Sequence, residues 1–148
     1  MANAELEIAE AIVDSLKVFA AAQSPELEIA FPNKSFTPPG DGVTYLRISV
    51  LPAQPFQPAA GGDAWNRHAG FAQIDVFWKA GEGIKQPLAL AENIAAHFKR
   101  GSNLTTASGY FVQVNRPPYI LGETPSGDAS RTMIPVRVYY IADVPNPA

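Results

Sequence analysis

The sequence predicts an α+β fold: one mostly antiparallel or mixed sheet of about five strands with two helices packed on one face, in the order α-β-β-β-α-β-β. Two segments carry apolar residues at helical spacing, around residues 3–22 and 87–100. Three others alternate apolar and polar residues with the period of a half-buried strand, at 44–51, 68–78 and 132–141. The segments between them are rich in proline and glycine, which break both patterns.

The first helix is expected from Asn3 to Ala22. Leu6, Ala9, Ile12, Val13, Leu16, Phe19 and Ala20 form its apolar stripe. Asn3 is placed to cap it, Glu5 and Glu7 suit the positive end of the helix dipole, and Ser24-Pro25 ends it. A short strand follows at Leu27–Phe31. In the strand at Thr44–Leu51, Leu46, Ile48 and Val50 share one face, and Tyr45, Arg47 and Ser49 the other. The strand at His68–Trp78 sets Ala72, Ile74, Val76 and Trp78 against Phe71, Gln73, Asp75 and Phe77. The second helix, Pro87–Arg100, buries Leu88, Ala91, Ile94, Ala95 and Phe98, with Gly101 as its C-terminal cap. Strands at Tyr110–Asn115 and Thr132–Ile141 complete the sheet. Pro135 requires an edge position or a bulge in the last of them. Arg47, Ser49, Gln73, Asp75 and Arg137 then share the helix-free face, where Asp75 can pair with Arg47 or Arg137.

At 148 residues the chain has the size of one domain, expected to span residues 1–148, and its 47% hydrophobic content can fill a core. The net charge of −3 comes from 11 basic and 14 acidic residues mixed along the chain, with no basic stripe to grip phosphates. There is no cysteine, so disulfides, thiolate metal sites and cysteine nucleophiles are excluded. The acidic N-terminus lacks the basic start of a signal peptide, and no apolar run reaches the ~20 residues of a membrane span.

Three long loops, at 32–43, 52–66 and 116–130, hold nine of the 14 prolines, and two of them run to 15 residues. Connections beyond ~12–15 residues are uncommon in compact domains and usually functional or disordered. These carry large apolar groups that a solvated linker rarely contains: Phe36, Pro55, Phe56, Trp65, Tyr119, Ile120 and Leu121. Two readings stand side by side. Either the arms dock on neighbouring subunits, with proline lowering the entropic cost of ordering them, or they fold back over their own sheet.

No catalytic constellation is present in the sequence. His68 and His97 have no second histidine at metal-ligand spacing, so structural or surface roles are expected for both. Ser108-Gly109 and Ser126-Gly127 lack the Gly-x-Ser-x-Gly frame of a serine nucleophile. Gly81-x-Gly83 lacks the third glycine of a dinucleotide loop and the Gly-Lys-Ser/Thr of a phosphate loop, so it reads as a turn. Asp41, Asp63 and Asp128, each beside a glycine, read as turn residues rather than metal ligands. Trp65, Phe71, Phe77 and Trp78 suggest a stacking platform for single-stranded nucleic acid, but no lysine or arginine is interleaved with them, so core or interface packing is expected. No catalytic, cofactor or metal site is assigned, and the chain is expected not to be an enzyme.

A set of collinear segments resembles the tail-terminator-like proteins of long-tailed bacteriophages and their prophages. The set comprises the N-terminal amphipathic helix, Phe36-Thr37-Pro38-Pro39 leading into Tyr45-Leu46-Arg47, Leu51-Pro52-Ala53, the run His68 to Phe77, Gly81-Glu82-Gly83, Phe98-Lys99-Arg100-Gly101, Arg116-Pro117-Pro118 and the closing Ile134-Pro135-Val136 strand. The resemblance covers nearly the whole chain. It implies a structural protein of the virion tail, assembled in the bacterial host cytoplasm, that forms a homo-oligomeric ring, expected as a hexamer. Such a ring caps the tail tube, ends its polymerisation and meets the head–tail connector, while DNA only passes through its centre. No cofactor and no membrane partner is implied. Phe36, Pro55, Phe56, Trp65, Tyr119 and Leu121 are the arm residues expected to make contacts. Alternatives are another tail component (a connector stopper or tube subunit) or a small ligand-binding or hydrolytic enzyme.

Overall fold

A computed structural model describes residues 3–40, 42–58, 60–62, 64–127 and 129–145. The elements run α1 (Ala4–Ala21), β1 (Glu28–Ala30), β2 (Tyr45–Pro52), β3 (Asn66–Lys79), α2 (Lys85–His97), β4 (Asn103–Thr105), β5 (Phe111–Val114), β6 (Tyr119–Ile120), β7 (Thr124–Pro125) and β8 (Arg131–Val144). The strands form one mixed sheet in the order β1-β2-β3-β8-β5-β4, with β6 and β7 also paired to β8. Among the described residues, only β1 runs parallel to its neighbour.

The α+β class agrees with the sequence, but the sheet has eight strands rather than about five. The additional strands β4, β6 and β7 are two or three residues long, too short to show a period, and one of them contains Pro125. Two lie inside the stretch 116–130 that reads as a loop. There the chain runs antiparallel along β8, in pieces. Val114 pairs with Tyr140, Tyr119 with Arg137 and Thr124 with Met133, so extra residues bulge out at each step. Pro135 sits beside the second bulge. Its carbonyl accepts from the Leu121 N–H at 2.9 Å, so its nitrogen, which has no hydrogen to donate, faces the slipped register rather than an intact ladder. The proline is therefore tolerated in a strand paired on both sides.

The loop expected at 52–66 is the far end of the β2–β3 hairpin. Pro52 and Asn66 belong to its strands, and Phe56 and Arg67 exchange backbone bonds of 3.0 and 2.7 Å.

Both helices pack on the face made by Leu46, Ile48, Ala72, Ile74, Val76, Val112, Val114 and the even-numbered residues of β8. On α1 the buried ridge is Ile8, Ile12, Leu16 and Phe19 with Ala20, whereas Leu6 is exposed. Apolar residues fill two adjacent stripes of this helix, and periodicity alone does not choose between them. Asn3 stands at the N-cap position, but its side chain makes no capping bond. The second helix ends at Phe98, earlier than expected, so Gly101 (φ 92°) is not its cap but turns the chain into β4.

Ile12 and Ile94 are 1% and 0% exposed. Truncating either to alanine is expected to lower unfolding free energy by about 2–5 kcal/mol. Chemical denaturation measures this, and a cost below about 0.5 kcal/mol would remove that residue from the core.

Candidate assembly interface

Among the described residues, the opposite face of the sheet carries no helix. Strand alternation places Tyr45, Arg47, Ser49 and Leu51 of β2 on it, and the register aligns them with Phe77, Asp75, Gln73 and Phe71 of β3. The next row is Met133, Pro135, Arg137 and Tyr139 of β8. Tyr119 stands beside Arg137, and Gln113 beside Ile141, with Phe111 two residues further along β5.

Arginines and aromatic rings are interleaved across this face. Arg47 lies over Phe77 at 5.0 Å, Arg137 over Phe71 at 5.0 Å, Arg116 over Tyr139 at 4.6 Å and Arg131 over Tyr45 at 5.1 Å. This corrects the expectation that Phe71 and Phe77 have no basic neighbours. The interleaving comes from strand register, not from adjacency along the chain. Trp78 points to the helix side, where it lines a groove with Pro25 and Leu90.

Asp75 organises the middle of the face. It is 2% exposed, and its carboxylate accepts from Arg47 at 2.9 and 3.0 Å and from the Gln73 amide at 3.0 Å. Gln73 in turn accepts from Arg137 at 3.1 Å. The expected pairing is thus direct for Arg47 and relayed through Gln73 for Arg137. A buried carboxylate is tolerated because it is paired and hydrogen-bonded.

Near the free end of the hairpin, Arg67 makes a two-pronged pair with Asp143 at 2.7 and 2.9 Å. The hydrogen bond from Arg67, more than its charge, holds the Asp143 carboxyl below its ordinary pKa, against a smaller opposing effect of burial. A lowered folded-state pKa makes the pair stabilising above the usual carboxylate range, and that stability is lost as pH falls through the lowered value. The stability difference between the wild type and Asp143→Asn is therefore expected to shrink in melts below about pH 4. A difference that stays constant with pH would contradict the pairing.

The arm residues fall into two groups. Phe36 folds back, its ring 5.1 Å from Tyr45. Arg131 fastens the same loop by donating to the carbonyls of Pro39, Gly40 and Val43 at 2.9–3.2 Å. Pro55, Phe56, Trp65 and Tyr119 are exposed, and Leu121 is half-buried beside β8. With Leu51 and Phe111, the rings of Phe56, Trp65 and Tyr119 are between 45% and 56% exposed. By register Leu51, Phe56, Phe111 and Tyr119 all belong to the helix-free face. This is the face of the sheet on which four of the exposed large apolar residues lie. Leu51 and Phe111 are exposed apolar residues of this face that lie outside the three expected loops. The signal was their place in alternating strands, opposite the buried set.

Elsewhere the histidines join elements. His97 links α2 to α1 through the Ser15 hydroxyl and carbonyl, both at 3.0 Å, and no carboxylate bonds its ring among the described residues. His68 pairs with Glu5 at 2.7 Å and ties β3 to the start of α1. Among the described residues no cluster of three potential metal ligands occurs, and no helix is long and apolar enough to cross a membrane. Asp41, Asp63 and Asp128 lie outside the described residues.

Comparison with known proteins gives these features a context. The family model described as "Phage tail terminator protein" matches residues 7–140. A solved structure superposes with a TM-score of 0.77 and 26% identity, over 99% of this chain and 100% of that one. No curated protein matches the sequence.

Proposed function

From the premise that the chain belongs to the phage tail terminator family, a structural family and not an enzyme family, we propose that it is the ring subunit that ends the tail tube. In this reading copies associate head-to-tail into a closed ring, a hexamer, built from single tail-terminator-like domains. The ring stops tube polymerisation, presents its other side to the head–tail connector, and lets DNA pass through its centre. The arms at 52–66 and 116–130 contribute Pro55, Phe56, Trp65, Tyr119 and Leu121 to contacts with neighbours.

One observation carries the reading: a whole sheet face is left without helices and bears Leu51, Phe56, Phe111 and Tyr119 half exposed. A closed ring needs two different patches per subunit, and a domain with helices on one side and a helix-free sheet face on the other, covered only in part by the 32–43 loop, offers two. Phe36 has a lesser part, since its ring is engaged with Tyr45.

Light scattering or native mass spectrometry at rising concentration tests the proposal. The expected result is a discrete species of six times the 15.9 kDa chain mass. A monomer at every concentration that also fails to bind tail tubes would overturn it.

A further inference from the structure

The exposed part of the helix-free sheet face and the outer ridge of α1 are complementary, and we propose that the α1 ridge of one copy docks on the sheet face of the next. This inference rests on the ring reading and names the two patches that meet.

Leu6, Glu10, Asp14 and Val18 follow one another at intervals of four residues and are all exposed, Leu6 by 54% and Val18 by 67%. Residues so spaced form one ridge along a helix. Twelve residues of rise make it about 18 Å long, with apolar ends and an acidic middle. Glu10 has no ion-pair partner among the described residues, and Asp14 has only the exposed Lys17 at 4.0 Å.

The sheet face has the inverse layout. Leu51 stands on β2 at one side and Phe111 and Tyr119 at the other, with Arg137 and Arg116 between. Three strand spacings separate β2 from β5, about 14 Å, comparable to the length of the ridge. Arg116 and Arg137 are held over Tyr139 and Phe71, which pre-orders their guanidinium groups for carboxylates. Charges are also segregated between the two sides. Arg47, Arg67, Lys79, Arg116, Arg131 and Arg137 outnumber Glu28, Asp75 and Asp143 on the sheet face, whereas Glu5, Glu7, Glu10 and Asp14 outnumber Lys17 on α1.

A second copy is the favoured occupant because the complement is in the same chain, on the opposite side of the same sheet. The two patches differ, so the contact is head-to-tail and propagates from subunit to subunit. Nucleic acid is the competing occupant for an arginine–aromatic face. Here, however, arginines already cover the rings on which bases would stack.

The test compares the full-length wild type with Glu10→Arg/Asp14→Arg, with Arg116→Glu/Arg137→Glu, and with all four changes together. Assembly mass, thermal melting and binding of a labelled DNA single strand are recorded for each. Each pair alone is expected to weaken ring association at least ten-fold, and the four together to restore it. If Arg116→Glu/Arg137→Glu melts early, Arg116→Glu alone serves as the sheet-side variant. Rings that form in the wild type and are indifferent to both pairs would overturn this docking while leaving the ring reading intact. A wild type that neither assembles nor binds tail tubes would overturn both, and one that binds tubes as a monomer would overturn this docking alone. Loss of single-strand binding in the sheet-side variant, with rings unchanged, would assign the face to nucleic acid instead.

Discussion

Replacing Phe56 and Trp65 by alanine is expected to break assembly and to leave folding nearly untouched. Both rings are about half exposed, 53% and 52%, so the isolated chain loses less burial when they are removed than at a core position such as Ile12. The backbone bridge between Phe56 and Arg67 does not depend on the ring and still pins the hairpin. Surface truncations of this kind usually change stability by no more than about 0.5 kcal/mol. Large aromatic residues at the centre of an interface, by contrast, often contribute 2 kcal/mol or more each, which is roughly a thirty-fold change in affinity. The double variant should melt within a few degrees of the wild type and remain monomeric at concentrations where the wild type forms rings. Unchanged assembly with a lowered melting temperature would show that the arm packs on its own domain.

The reverse outcome is expected at Gly70. This residue lies near the far end of the β2–β3 pairing, with its register partners Pro52 of β2 and Tyr140 of β8 on either side. A Cβ there would stand 2.5 Å from the Leu51 carbonyl oxygen, 2.8 Å from the Tyr140 hydroxyl and 2.9 Å from the Pro52 Cα. Two of those three neighbours are backbone, so no rotamer change relieves the clash. Only glycine permits so close an approach in a paired strand. Gly70→Ala is expected to destabilise the fold by about 3 kcal/mol or more, at or above the upper end of ordinary overpacking. Tyr140→Phe is the useful contrast. The hydroxyl is buried without a hydrogen-bond partner among the described residues, and burial, assisted by the Glu5 charge, pushes its pKa up to about 12. Removing it takes away an unsatisfied group and should be neutral or slightly stabilising. Urea denaturation of the two variants measures both effects. A wild-type midpoint for Gly70→Ala would mean that the hairpin backbone gives way easily.

Legibility in the sequence followed the strength of the local pattern. The long strands were readable because Leu46, Ile48, Ile74 and Val76 alternate with polar or aromatic partners over many residues, and all four are buried as the period requires. The cross-strand pairing of Asp75 was also readable, since parity places it on the face shared with Arg47 and Arg137. Strands β6 and β7 were not, because two residues cannot display a period and Pro117, Pro118 and Pro125 argue for a loop. Their pairing is imposed from outside, by the long edge of β8. Leu6 was misplaced for a related reason, as apolar residues occupy adjacent stripes of α1 and only the packed sheet selects Ile8 instead. The candidate interface was half legible. Loop length and proline content drew notice to Phe56, Trp65 and Tyr119. The interleaving of arginines with aromatic rings is a property of register between β2, β3 and β8, and no single segment contains it.

The central claim is that this subunit ends a growing tube, and the most direct measurement is of tube length. Purified protein is added to its cognate tail-tube subunits during polymerisation, and the tubes are measured by electron microscopy. Elongation should stop, with a ring visible at one end of each tube and with tubes shorter as more protein is added. Tubes that grow to the same length with and without the protein, and carry no ring, would contradict the account.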